Sequence, residues 1–170
     1  AVRFGAEGVG LDRSEFLYIE SSPRLPTEEE HLELYCRIAK AMEPHPAIIR
    51  TYDLGGKKLA QELLDTREEN PVLGLRGVRL TLARPRVFRS QLRALFRAAR
   101  HRNLAVMVPL ISSVGELRRF RAFAHEVADE LEREGIEINR EMKIGCMIEV
   151  PAAAIQADRL AREANFFAIG

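Results

Sequence analysis

Short, almost continuously apolar runs alternate with amphipathic stretches along this chain, and that rhythm limits the fold more than any other feature. The runs are "EGVGLD" (Glu7–Asp12), "PAIIRTY" (Pro46–Tyr52), "NLAVMVPL" (Asn103–Leu110), "KIGCMIEV" (Lys143–Val150) and "ANFFAIG" (Ala164–Gly170). They show little period-2 alternation, as expected of parallel strands covered on both faces. The segments between them carry helix signals. Thr27 followed by Glu28, Glu29 and Glu30 reads as a capping box, with Leu32, Tyr35, Ile38, Ala39 and Met42 on one face. Ser113 with Glu116 repeats that signature ahead of Leu117, Phe120, Ala124, Val127 and Leu131, and Gly135 suits the C-terminal cap. Pro85 and Pro151 fit the first turn of a helix. Strand and helix alternate throughout, which predicts parallel α/β architecture.

Two such architectures compete. An open doubly wound sheet normally brings a glycine-rich phosphate loop after an early strand, and neither GxGxxG nor GxxxxGK[ST] occurs here. A (β/α)8 barrel instead places polar groups at the C-terminal ends of several strands. Asp12-Arg13-Ser14-Glu15, Arg50-Thr51-Tyr52-Asp53 and Glu149 all follow apolar runs at that position. A whole barrel takes about 250 residues, and this chain has 170. The expectation is one domain over residues 1–170, a partial (β/α)8 TIM barrel with about five of the eight strand-helix units.

Charge and cysteine usage narrow the function classes. Lys plus Arg number 26 against 25 Asp plus Glu, so the whole-chain charge favours no polyanionic partner. Cys36 and Cys146 lie inside apolar patterns without paired spacing, which points to reduced thiols and a cytoplasmic setting. No stretch approaches the ~20 apolar residues of a membrane span. The chain opens at Ala1 with no charged-then-apolar leader, and reads as a fragment or a processed form.

Several residues could carry chemistry. Arg13 and Arg50 each end an apolar run, and a guanidinium grips phosphate or carboxylate through two parallel hydrogen bonds. Either could equally close its strand by pairing with a nearby acid. The segment Leu54–Arg79 is longer than a usual βα connection of ~2–6 residues; its Gly55-Gly56, Asn70-Pro71, Arg76 and Arg79 suit a binding loop. The stretch from Pro85 to Arg102 repeats arginine at 86, 89, 93, 97 and 100. A nucleic-acid role is open to such a stripe, but with no aromatic residue interleaved it reads as the solvated outer face of a barrel helix. The four histidines are scattered; His31 reads as a packing or surface residue, and Cys146 as a buried, inert thiol. Glu149 could terminate a strand or bind a hard cation; Mg²⁺ favours one or two carboxylates together with substrate phosphate oxygens.

Taken in order, "GAEGVGLDRSEFLYIE", "LPTEEEHLELY", "IIRTYDLGGKK", "EENPVLGLRGVRL", "VMVPLISSVGELR" and "IGCMIEVPAA" resemble successive motifs of the phosphoenolpyruvate-binding domain of the phosphoenolpyruvate–protein phosphotransferase family, enzyme I of the bacterial sugar phosphotransferase system. Pyruvate phosphate dikinase and phosphoenolpyruvate synthase share variants of several motifs and form the alternative. The resemblance implies a barrel that binds phosphoenolpyruvate and Mg²⁺ at its C-terminal rim and carries the main dimer contacts. It implies that Arg13, Arg50 and Arg76 bind the substrate phosphate and that Glu149 is a Mg²⁺ ligand. It further implies that the phosphoryl acceptor is a histidine on a separate domain, and after it the histidine-containing phosphocarrier protein. No catalytic residue in the strict sense is then expected within residues 1–170, and no nucleic-acid or membrane partner. Ser14, Tyr52 and Val150 depart from the family's usual residues without altering the charged set. The family's next motif, with an asparagine and a second metal-binding aspartate, would follow Gly170. The expectation is an isolated piece that is inactive, holds Mg²⁺ weakly or not at all, and, with open sheet edges, is self-associated, poorly folded or completed by further segments.

Overall fold

Each apolar run becomes a strand. In the computed structural model, which describes residues 2–21, 24–54 and 73–170, these are β1 (Val9–Arg13), β2 (Ala47–Arg50), β3 (Leu104–Val108), β4 (Lys143–Ile148) and β5 (Phe167–Ile169). All neighbours pair in parallel, in the order β1-β2-β3-β4-β5. Strictly sequential order is that of a barrel wall; a doubly wound sheet reverses order at its switch point. The chain therefore forms a curled part-barrel of the (β/α)8 type.

The helices are α1 (Glu15–Ser21), α2 (Glu28–Met42), α3 (Gly77–Ala83), α4 (Pro85–Ala98), α5 (Val114–Arg133), α6 (Pro151–Ile155) and α7 (Ala157–Leu160). Their ends follow local chemistry. Thr27 and Glu30 form the reciprocal capping box of α2. Pro85 and Pro151 occupy first-turn positions of α4 and α6. After α5, Gly135 at φ 73° donates to Glu132 O, and Ile136 donates to Leu131 O, the paired bonds of a Schellman ending. At the start of α5 the box is displaced by one residue. Ser113 accepts from Glu116 N, but the Glu116 carboxylate reaches back to Ser112 N and Oγ at 2.7 and 2.8 Å.

Register separates the two faces of the sheet. Asp12, Ile49, Val106 and Ile144 pair along one row, and Ile49 and Val106 are fully buried. Arg13, Arg50, Met107 and Gly145 make up the next row, which a parallel sheet points to the opposite face. The helix-side core is built from Tyr35, Phe88, Leu92, Leu95, Phe120, Val127 and Leu131.

The basic stripe on α4 departs from expectation. Arg89 pairs with Glu126 and Glu130 of α5, Arg93 with Glu28 of α2 and Glu134, and Arg97 with Glu28 and Glu29. The stripe is an inter-helix clamp rather than a free solvated face, because carboxylates of the flanking helices lie opposite it. Glu28 bridges two arginines at 2.6 Å each, and its side chain is 22% exposed. Glu28→Ala leaves both partly buried arginines short of a partner and is expected to lower stability by about 1–2 kcal/mol. Urea unfolding checks it; an unchanged midpoint would mean that the pairs are screened as at a free surface.

Candidate active site

The site is assembled where β1 and β2 end. Glu15, the first residue of α1, accepts the Asp53 N–H at 2.7 Å through Oε1 and pairs with Arg50 Nη2 at 3.0 Å. Asp53 takes Arg76 in a two-bond fork, Nε to Oδ1 at 3.0 Å and Nη2 to Oδ2 at 2.9 Å. The same Oδ2 lies 3.5 Å from Arg50 Nη1. Acid and base thus alternate as Glu15, Arg50, Asp53, Arg76. Buried side-chain entropy is already spent, so both guanidiniums stand oriented before any ligand arrives. Arg50 Nε and Glu15 Oε2 are buried without a hydrogen-bond partner, and a buried donor left unmade is costly. An anionic oxygen is the natural complement to that N–H.

Sequence-expected residues fall as follows. Arg50 and Arg76 are brought together by Asp53, Arg76 from the N-cap position of α3. Arg13 is the register partner of Arg50 and is exposed, with no ion pair among the described residues. Glu149 follows β4 directly and is half-buried. Its Oε1 accepts the Leu110 N–H at 2.7 Å, and among the described residues it pairs with no arginine. Gly55-Gly56 and Asn70-Pro71 lie outside the described residues. Arg79 is drawn away from the rim group, to the carbonyls of Leu73 and Gly74 and to Glu116.

Asp12 belongs to the row facing the helices. Burial, and secondarily the charge of Glu15, push its carboxyl above the usual value. Its Oδ2 is buried without a hydrogen-bond partner, and among the described residues no ion pair joins it to Arg50 or Arg76.

Behind the rim lies a buried polar network that sequence reasoning missed. Ser14 Oγ donates to Arg50 O at 2.7 Å, and Gln91 Nε2 donates to Ser14 Oγ and to the Tyr35 hydroxyl at 2.9 and 3.1 Å. Gln91 Oε1 accepts the Tyr52 N–H at 3.1 Å. His31 sits between the two phenols, with Nδ1 3.0 Å from Tyr35 OH and Nε2 2.7 Å from Tyr52 OH. Ser14, Gln91 and His31 are each 1% exposed. The network grips the backbone on either side of Thr51 and so sets where Arg50 and Asp53 emerge. A histidine and two tyrosines in separate apolar patterns give no such signal; only the lone glutamine on the apolar face of α4 hints at it. Cys146 is buried and its thiol is pushed up to about 11 by desolvation, consistent with an inert group.

The fit to a divalent cation rests on donor type. Glu149 offers a hard oxygen at a strand end, and no cluster of three His, Cys, Asp or Glu gathers among the described residues. One carboxylate completed by substrate oxygens and water is how Mg²⁺ is commonly held, so the residues fit on that basis.

A part-barrel whose C-terminal rim carries two arginines held by carboxylates, with a glutamate at the end of its fourth strand, defines an α/β-barrel protein with a charged rim. The chain matches, over residues 1–170, the family described as "PEP-utilising enzyme, PEP-binding domain", and it belongs to that family. It is 43% identical over 166 residues to the phosphoenolpyruvate-protein phosphotransferase of Priestia megaterium, covering 98% of this chain and 29% of that protein. The protein of the same name from Geobacillus stearothermophilus is 43% identical over 170 residues, covering 100% of this chain and 29% of the relative. A multiphosphoryl transfer protein of Xanthomonas campestris is 48% identical over 171 residues, covering 100% of this chain and 20% of its own length. The chain thus spans less than a third of the relatives it matches. Among the described residues, no helix is long and apolar enough to cross a membrane.

Proposed function

We propose that residues 1–170 are part of the phosphoenolpyruvate-binding barrel domain of a cytoplasmic phosphotransferase. That protein moves the phosphoryl group of phosphoenolpyruvate to a protein histidine and then to the histidine-containing phosphocarrier protein that serves sugar uptake. The observation that carries the reading is the rim group of Arg50 and Arg76 held by Glu15 and Asp53, with Arg50 Nε unpartnered. The names of the relatives support the phosphotransferase over a dikinase or synthase, and two free thiols support the cytoplasmic setting. The homodimer rests on the resemblance alone.

In this reading Arg13, Arg50 and Arg76 bind the phosphate of the substrate. Arg50 and Arg76 stand against the carboxylates of Glu15 and Asp53, and the exposed Arg13, register neighbour of Arg50 and without an ion pair among the described residues, would bring a guanidinium free to meet an anion. As the bond from phosphorus to the enol oxygen breaks and a bond to the acceptor histidine nitrogen forms, charge on the equatorial oxygens is met by donors already in place. Glu149 would hold Mg²⁺, which supplies positive charge for the oxygen that leaves phosphorus.

The test is pyruvate release by the full-length protein with Mg²⁺, phosphoenolpyruvate and the phosphocarrier protein. Release is expected to depend on the carrier and to need no nucleotide. Release that requires an adenine nucleotide instead would move the protein to the dikinase or synthase class.

A further inference from the structure

The turn after β3 touches both halves of the rim. Leu110 lies at φ 55°, in the left-handed region that a bulky side chain rarely adopts and that persists only where the surroundings enforce it. That conformation points its N–H at Glu149 Oε1, 2.7 Å away. On the other side, its side chain closes over Gly77: a Cβ placed at Gly77 would stand 3.1 Å from Leu110 Cβ and 3.2 Å from Cδ1. Gly77 is itself at φ 52° and immediately follows Arg76, which forks to Asp53 from the N-cap position of α3.

The rest of the turn is pinned. Ser112 donates through N and Oγ to Glu116, and Ser112 O accepts from Gln156 Nε2 at 3.3 Å. Leu110 is 6% exposed. The strained residue thus touches the strand-end carboxylate on one side and the glycine next to Arg76 on the other.

We propose that Leu110 is a positioning residue of the phosphoryl-transfer site: its backbone N–H fixes the Glu149 carboxylate while its side chain seats Gly77 and with it the Arg76 guanidinium. This rests on the reading of the site given above. The two tasks separate by substitution. Asparagine tolerates the left-handed backbone and keeps the N–H, but loses the leucine contact with Gly77. Glycine loses that contact and also frees φ.

In the full-length protein, Leu110→Asn is expected to raise KM for phosphoenolpyruvate about tenfold with the half-activating Mg²⁺ concentration unmoved, since sub-ångström misplacement of a positioning group is worth that much. Leu110→Gly is expected to raise both constants by about tenfold, and Leu110→Met, which restores a long apolar side chain, to return KM close to the parent value. Circular dichroism melts identify the folded variants. A purely structural role would lower kcat with the folded fraction and leave both constants alone, and that result overturns the proposal. Arg50→Ala in the same protein separates the two levels. If it is inactive while the Leu110 variants keep parental constants, only the positioning role fails; if it turns over normally, the reading of the site fails and Leu110's role with it.

Discussion

Replacing Arg50 by alanine in the full-length protein is expected to lower kcat/KM for phosphoenolpyruvate by on the order of a thousandfold, a loss of about 4 kcal/mol of transition-state stabilisation. Arg50 is 12% exposed at the side chain, pairs with Glu15 at 3.0 Å and stands 3.5 Å from Asp53. Its removal does more than delete a donor. Glu15 and Asp53 lose the charge between them, and their carboxylates then repel the incoming phosphate. Arg50→Lys is expected to recover less than about a tenth of the lost rate, because an ammonium cannot serve Glu15, Asp53 and a phosphate oxygen through one planar fork. Steady-state pyruvate release by folded variants is the measurement. Near-normal kcat/KM in Arg50→Ala would remove this residue from the substrate site.

The second large effect concerns stability against pH. Burial between Tyr35 and Tyr52 holds the His31 imidazole down, from the ordinary 6.5 to about 4, with Glu30 opposing weakly. A histidine kept neutral in the folded chain is protonated first when unfolded, so the contribution is complete above 6.5 and is lost as pH falls towards about 4. The full loss is roughly 3 kcal/mol, of which about 2 kcal/mol is gone by about pH 5. The same burial pushes both phenols upward, out of this window. Glu30 and Glu134, held low by Arg24 and Arg93 respectively, withdraw their contributions only as pH falls below the usual carboxylate range. Urea unfolding at neutral pH and near pH 5 measures the slope. His31→Gln is expected to flatten it, at a constant cost for the altered hydrogen bonds; an unchanged slope in that variant would assign the acid loss to other groups.

Much of the fold was legible because its signals are local. Prolines at 85 and 151, the Thr27–Glu30 box and Gly135 each act within a few residues, and the apolar runs located each strand among the described residues. The arginines of the rim were legible for a related reason: Arg13 and Arg50 sit where strands end, and register then made them neighbours. What escaped depends on partners distant in sequence. The spacing of Arg89, Arg93 and Arg97 reveals a face but not that Glu28 and Glu29 lie opposite it, 65 to 69 positions away. His31 carries no mark of its burial, because Tyr52 and Gln91 arrive from other elements. Leu110 gives no hint of a positive φ, since leucine is not a residue that seeks one. Glu149 was legible as a strand-end carboxylate, but its partner is a backbone N–H, which no side-chain pattern records.

Helix α4 bonds outward through Arg89, Arg93 and Arg97 to α2 and α5, and inward through Gln91 to Ser14 and Tyr52. Each added or removed residue turns the remainder of a helix by about 100°. A single insertion or deletion within Pro85–Ala98 would therefore swing one set of bonds out of reach while leaving the other in place. Natural variation in length is expected to accumulate in the connections between elements and to spare this helix, even though half of its surface looks, residue by residue, like freely exchangeable charge.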